Sequence, residues 1–223
     1  AALLGRAVEG LDEAAGRVVG RLTMELHGPV PVEPLGVRAR VVRPGRSVTL
    51  VESELFDLGR RRLAASGRAW LFPHAPGPGD AAGPPPHRPA DGRAHDRPTA
   101  WHGGYLDAIE WRWIEGAVDE PGPGVVWMRP PALVEGEEIS PLQRLLACVD
   151  SASGASAALD VREWAFLNTE LTVHVLRPPV GEWVCLDAVT TFGGGAVGLA
   201  TAGVHDEKGL VARSSQALLV VRR

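Results

Sequence analysis

Asp150 is the residue whose surroundings least account for it. It lies within LACVDSASGASAALD, Leu146 to Asp160, where nearly every neighbour is small or apolar, as a helix pressed closely onto a flat surface requires. A carboxylate there can act as a general base if it faces a cleft. Otherwise it is a solvent-facing or backbone-capping side chain. The histidines offer less. His74, His87 and His95 fall in a Pro/Gly-rich stretch and read as solvated, and His102 precedes a strand beside a Gly-Gly turn. His174 stands mid-strand, and His205 and Asp206 open the hairpin HDEKG. Gly193 to Gly195 read as a turn between strands, since a phosphate cradle would lead from a strand into a helix. There is no GxSxG elbow for a serine nucleophile.

The chain has 223 residues, 45% of them hydrophobic, enough for a substantial core. A net charge of −4 and the lack of a basic block with interleaved aromatics argue against nucleic acid. No apolar run approaches the roughly 18 residues of a membrane-spanning helix. Cys148 and Cys185 lack metal-ligand spacing and read as buried reduced thiols, which suits a cytoplasmic protein. Trp111, Trp113, Trp127 and Trp164 read as core or interface residues, any of which could line an apolar tunnel.

Sliding the chain along itself by about 149 residues sets LTMELHGPVP, from Leu22, over LTVHVLRPPV, from Leu171. In the same register Gly45 falls over Gly194 and Asp57 over Asp206. This reads as a duplication. Each copy has a helix of small residues followed by extended segments rich in Val, Leu and Thr. In the second copy these are AFLNTELTVHVLR, EWVCLDAVTTF, AVGLATAGVHD and GLVARSSQALLVV. That copy also has a preceding strand pair, DAIEWRWIEG and GVVWMRP, with AVDEPGP as the turn. The first copy lacks the pair, so an N-terminal stretch of some tens of residues is expected to precede Ala1. Between the copies, 73–100 is so rich in Pro and Gly that it reads as a mobile linker. The units expected are thus 1–72, the linker 73–100, and 101–223. The fold class is α+β, an antiparallel sheet wrapped around a helix in each copy.

WHGGYLDAIEWRW, LLACVDSASG, NTELTVHVLRPPVGEWVCLDA and HDEKGLVARSSQALLV, in this order and spacing, resemble the double hotdog thioesterases of the acyl-CoA thioesterase II type. The resemblance implies a tandem pair of hotdog units and hydrolysis of an acyl-CoA to a carboxylic acid and CoA, with no metal or redox cofactor. It also implies an Asp, a Ser or Thr, and a Gln that together hold the hydrolytic water. By position these fall on Asp150, on Asn168 with Thr169 as the alternative, and on Gln216. Asn168 departs from the hydroxyl of the family pattern: an amide orients water but does not relay a proton. Backbone N–H groups near the start of a hotdog helix would face the developing oxyanion. Arg177 would either meet a CoA phosphate or stand as an exposed cation. In the first copy the three positions fall on Ala1, Val19 and Arg68, so only the second would carry a site. A noncatalytic acyl-binding hotdog protein is the alternative, and a hotdog hydratase a more distant one. Hotdogs pair, so a homo-oligomer of double hotdogs is expected.

Overall fold

The strands follow from β-branched and apolar residues at alternate positions. In Thr49–Asp57, for example, Thr49, Val51, Ser53, Leu55 and Asp57 all point inward and are buried. In the computed structural model, which describes residues 1–77, 79, 83–95, 103–118 and 120–223, the strands are β1 (Arg17–Leu26), β2 (Leu35–Arg43), β3 (Thr49–Asp57), β4 (Arg62–Pro73), β5 (Glu110–Ala117), β6 (Glu120–Arg129), β7 (Trp164–Asn168), β8 (Glu170–Val175), β9 (Val184–Phe192), β10 (Val197–Asp206) and β11 (Gly209–Arg222). They form one antiparallel sheet in the order β2-β3-β4-β1-β8-β11-β10-β9-β6-β5, with β7 also paired to β11. The helices are α1 (Ala2–Glu9), α2 (Tyr105–Ala108), α3 (Pro141–Val149) and α4 (Ala152–Ala155).

The duplication is visible in the register. β1 pairs with β8 so that Thr23 lies opposite Thr172, their Oγ atoms 3.2 Å apart and their positions separated by 149 residues. A pseudo-twofold axis therefore passes between them and relates β2, β3 and β4 to β9, β10 and β11. Inside the sheet α1 and α3 pack with opposite directions. Glu9 accepts hydrogen bonds from Ser140 Oγ and Gln143 Nε2 at the start of α3, while Gly5 meets Leu146 further along it. Both units share one core, with Leu4, Val8, Leu22 and Val51 from the first and Leu145, Leu146, Leu171 and Leu186 from the second.

Several expectations need correction. The small-residue helix is two helices with a break at Asp150 and Ser151. Asp, Ser and Gly in this stretch are weak helix formers, and Ala158 lies beyond α4. The strand expected from Ala165 to Arg177 is split at Thr169, whose N–H bonds to Ala217 O while its C=O accepts from Leu26 N. The turn expected over AVDEPGP is shorter, because β6 already begins at Glu120. Nor is 73–100 structureless throughout: Pro89–Asp91 form a 3-10 turn, and Arg93 bridges to Trp113 on β5.

Arg177 is neither an exposed cation nor a candidate phosphate ligand. Its guanidinium donates to both carboxylate oxygens of Asp206, with Nη2 to Oδ1 at 2.7 Å. Asp206 is fully buried and also accepts from the backbone N–H of Val180, Lys208 and Gly209, which ties the β8–β9 connection to the β10–β11 hairpin. Burial alone would raise the Asp206 carboxyl. The Arg177 and backbone hydrogen bonds outweigh it and hold the group below its ordinary 3.8.

Replacing Asp206 by Ala removes the charged partner of a partly buried guanidinium and the acceptor of three backbone N–H groups, and is expected to cost about 3 kcal/mol of stability. Because the folded value is depressed, the contribution is complete above the ordinary value and is lost as pH falls through the folded one. Thermal unfolding of wild type and variant should therefore differ at neutral pH and converge in acid. Gly124→Ala should destabilise as well, since a Cβ there would lie 1.9 Å from the Ala155 carbonyl oxygen at the end of α4; a denaturant titration reads the loss.

Candidate active site

The break between α3 and α4 leaves Asp150 as the last residue of one helix turn and aims its side chain away from the helix stack. Asn168, at the end of β7, donates from Nδ2 to Asp150 Oδ1 at 3.0 Å. Gln216, on β11 and fully buried, donates from Nε2 to the Asp150 backbone carbonyl at 3.2 Å and to Oδ1 at 3.4 Å. Its Oε1 accepts from the Ser153 N–H at 3.2 Å, which sets the orientation of the amide. Among the described residues Asp150 Oδ2 has no hydrogen-bond partner. Asp150, Asn168 and Gln216 are thus brought together. Thr169 is directed elsewhere, its Oγ1 donating to Ala217 O, as strand alternation dictates for a neighbour of Asn168.

Asp150 and Asn168 open onto a cavity of 270 Å³ whose other walls include Tyr105, Leu106, Trp111, Trp113, Val118 and Ala155. Sequence reasoning missed Tyr105, the chain's single tyrosine. Its hydroxyl donates to Ala147 O at 2.6 Å, so at the 2.7 Å contact with Ser151 the serine is the donor. Burial raises the phenol well above its ordinary value, so it stays protonated. Its rarity was the available signal. A larger cavity of 390 Å³ lies along the seam between the units, lined in part by Val8, Val19, Leu142 and Pro178, and contains none of the three residues.

Two site expectations change. The start of α3 is about 13 Å from Asp150, since nine residues at 1.5 Å per residue separate them. Its N–H groups, capped by Ser140 accepting from Gln143 N, therefore lie away from Asp150, and the helix start that comes near the carboxylate is that of α1, which runs opposite to α3 and whose Ala1 amino group feels the Asp150 charge. The first-copy counterpart of Gln216 is Ala69 rather than Arg68: Gln216 pairs with Ala200, and Ala69 with Val51, the residue 149 positions before Ala200. The counterpart positions are thus Ala1, Val19 and Ala69, with no polar side chain among them.

The other residues weighed from sequence fall outside this cluster. His174 is exposed opposite Arg21, and His205 lies at a register shift in β10, its imidazole pKa lowered by burial. His87 and His95 are exposed, and His102 lies outside the described residues. Among the described residues there is no group of His, Cys, Asp and Glu side chains that could hold a metal ion. Likewise, no helix among them is long and apolar enough to cross a membrane.

Comparison with known proteins bears on the family and the fold. Residues 1–72 match the acyl-CoA thioesterase N-terminal domain and residues 84–220 the acyl-CoA thioesterase C-terminal domain. A putative thioesterase II from Thermobifida fusca superposes with a TM-score of 0.76 at 21% identity, covering 99% of this chain and 84% of that one. A hot dog fold protein of unknown function from Alicyclobacillus acidocaldarius gives 0.74 at 19%, covering 99% and 85%. The acyl-CoA thioesterase II TesB2 of Mycobacterium marinum gives 0.69 at 16%, covering 99% and 86%. No curated protein matches. At these identities the structures establish the double hotdog fold, and the two matched domains, which together span most of the sequence, establish that the chain belongs to the acyl-CoA thioesterase family.

Proposed function

We propose that this acyl-CoA thioesterase cleaves its substrate with a water molecule activated by Asp150. The observation that carries the reading is the convergence of Asn168 and Gln216 on Asp150 Oδ1 at an apolar cavity, with Oδ2 left to face water. Water attacks the thioester carbonyl carbon as Asp150 takes its proton. The carbon–sulfur bond then breaks, the carboxylic acid forms, and the proton passes to the departing CoA sulfur. Asn168 fixes the carboxylate from one side and offers its own Oδ1 to the water. Gln216, with both ends of its amide engaged by the α3–α4 break, is a positioning residue; it does not bind the water. The amide at Asn168, where the family pattern has a hydroxyl, favours a second reading, an acyl-CoA binder without turnover.

The same proposal takes 1–72 and 101–223 as the two hotdog units, 73–100 as their connector, and the cytoplasm as the compartment, in keeping with two buried free thiols. It also includes a homo-oligomer. Leu167, Leu219, Val197 and Leu199 are exposed and adjacent on the outer face of β7, β11 and β10, an apolar surface suited to a second copy.

Release of free thiol from acyl-CoA tests the chemistry. Asp150→Asn should lower kcat by about 10²- to 10⁴-fold with KM little changed, and Asn168→Ala should lower it less. Tight binding of acyl-CoA without release by the wild type would establish the binder instead. For the assembly, Leu199→Lys combined with Leu219→Lys should lower the sedimentation coefficient to that of a single chain.

A further inference from the structure

The cavity beside Asp150 is small, and one of its walls is aromatic. Trp111 and Trp113 stack with centroids 6.3 Å apart and an interplanar angle of 11°, and Tyr105 meets Trp111 edge-on at 6.2 Å and 82°. These rings are held in place. Trp111 Nε1 donates to Leu106 O at 3.0 Å, the Tyr105 hydroxyl is anchored on α3, and Trp113 is almost wholly buried against Gly124, where a Cβ would lie 3.3 Å from its ring. At 270 Å³ the cavity falls below the usual range for small-molecule sites, about 300–1,000 Å³. If each non-hydrogen atom takes about the 30 Å³ share of a liquid water, it holds about nine of them.

We propose that the acyl group this site selects is compact and ring-bearing, an arylacyl thioester, and that Trp111, backed by the buried Trp113, is the specificity-determining residue. The proposal rests on Asp150 marking the reacting carbonyl. An acyl chain of up to about eight carbons fills the space, and each methylene added up to that point gains about fourfold, the fold-change that about 0.8 kcal/mol corresponds to. Carbons beyond it stay in water and gain nothing. Within that volume a planar ring can make an aromatic contact with the partly exposed Trp111, which a flexible chain cannot, for a further gain of about two- to tenfold.

The test compares phenylacetyl-CoA, octanoyl-CoA and palmitoyl-CoA. For the wild type, kcat/KM should be about two- to tenfold higher for phenylacetyl than for octanoyl, and no higher for palmitoyl than for octanoyl. Trp111→Ala, at a partly exposed position, should remove the ring preference; Trp111→Phe should keep most of it and guards against a folding artefact. A rise of more than tenfold from octanoyl to palmitoyl, or a ring preference undiminished in Trp111→Ala, would overturn the proposal. Calorimetric binding of the same three thioesters to Asp150→Asn separates this question from the chemistry. The same order of Kd in that variant supports the pocket assignment even if hydrolysis proves not to need Asp150, and the reverse order refutes it even if hydrolysis does.

Discussion

The antiparallel pairing of β1 with β8 is the constraint on which the rest of the fold depends. It joins two half-sheets of duplicated sequence into one, and its register, with Thr23 opposite its own counterpart Thr172, sets the pseudo-twofold axis. Once that axis is set, α1 and α3 must meet inside the curved sheet with opposite directions. Gly5 lies where they meet: a Cβ there would lie 2.4 Å from Leu146 Cδ1, and that buried side chain would have to shift. The main core belongs to both units, with Leu4 and Val8 in the same cluster as Leu145 and Leu146, and the second unit adds only two small clusters of its own. Separated, each half would expose an apolar face and an unpaired strand edge, both costly in water.

Within that frame the site depends on a single buried amide. Gln216 is fully enclosed, and leaving its polar atoms unpaired would cost about 1–3 kcal/mol. Its partners are the Asp150 carbonyl and carboxylate on one side and the Ser153 N–H on the other, groups that a continuous helix would use or direct elsewhere. The interruption between α3 and α4 and the burial of Gln216 therefore support each other: the break exposes backbone groups, and the amide satisfies them. Asp150 gains a fixed direction from the same exchange.

Much of this was legible in the sequence. The strand order, the offset of 149 and the grouping of Asp150 with Asn168 and Gln216 rest on residue type, alternation and family pattern, which survive folding unchanged. What was not legible depended on how separate segments meet. The offset drifts because the β10–β11 hairpin turns through residues 207–208, whereas β3–β4 needs 58–61; those two extra residues take the offset from 149 to 147, so the counterpart of Gln216 is Ala69 and not the Arg68 of an offset of 148. Arg177 reads as an exposed cation beside a proline pair until the hairpin brings Asp206 beneath it. Tyr105 is near α3 only in space, 42 positions before Ala147 in the sequence. The helix break was the nearest miss, since Asp, Ser and Gly at 150–154 already weaken a helix there.

The two copies also explain why one retains polar groups and the other does not. Gln216 is the member that burial commits: without the α3–α4 break that presents the Asp150 carbonyl and the Ser153 N–H, its amide would be stranded in a low-dielectric setting, so a half-built set is less stable than both the full set and none. A duplicated chain thus has two stable endpoints at this position. The second unit occupies the polar one, with Asn168 and Gln216 both bonded to Asp150. The first occupies the apolar one, where Val19 and Ala69 join the shared core that holds α1 against the sheet. The apolar endpoint adds buried area where the halves need cohesion, while the polar endpoint opens a cavity and a helix break where the chemistry needs room. The asymmetry between the copies is a division of labour between stability and function, imposed by the cost of leaving a buried polar network half complete.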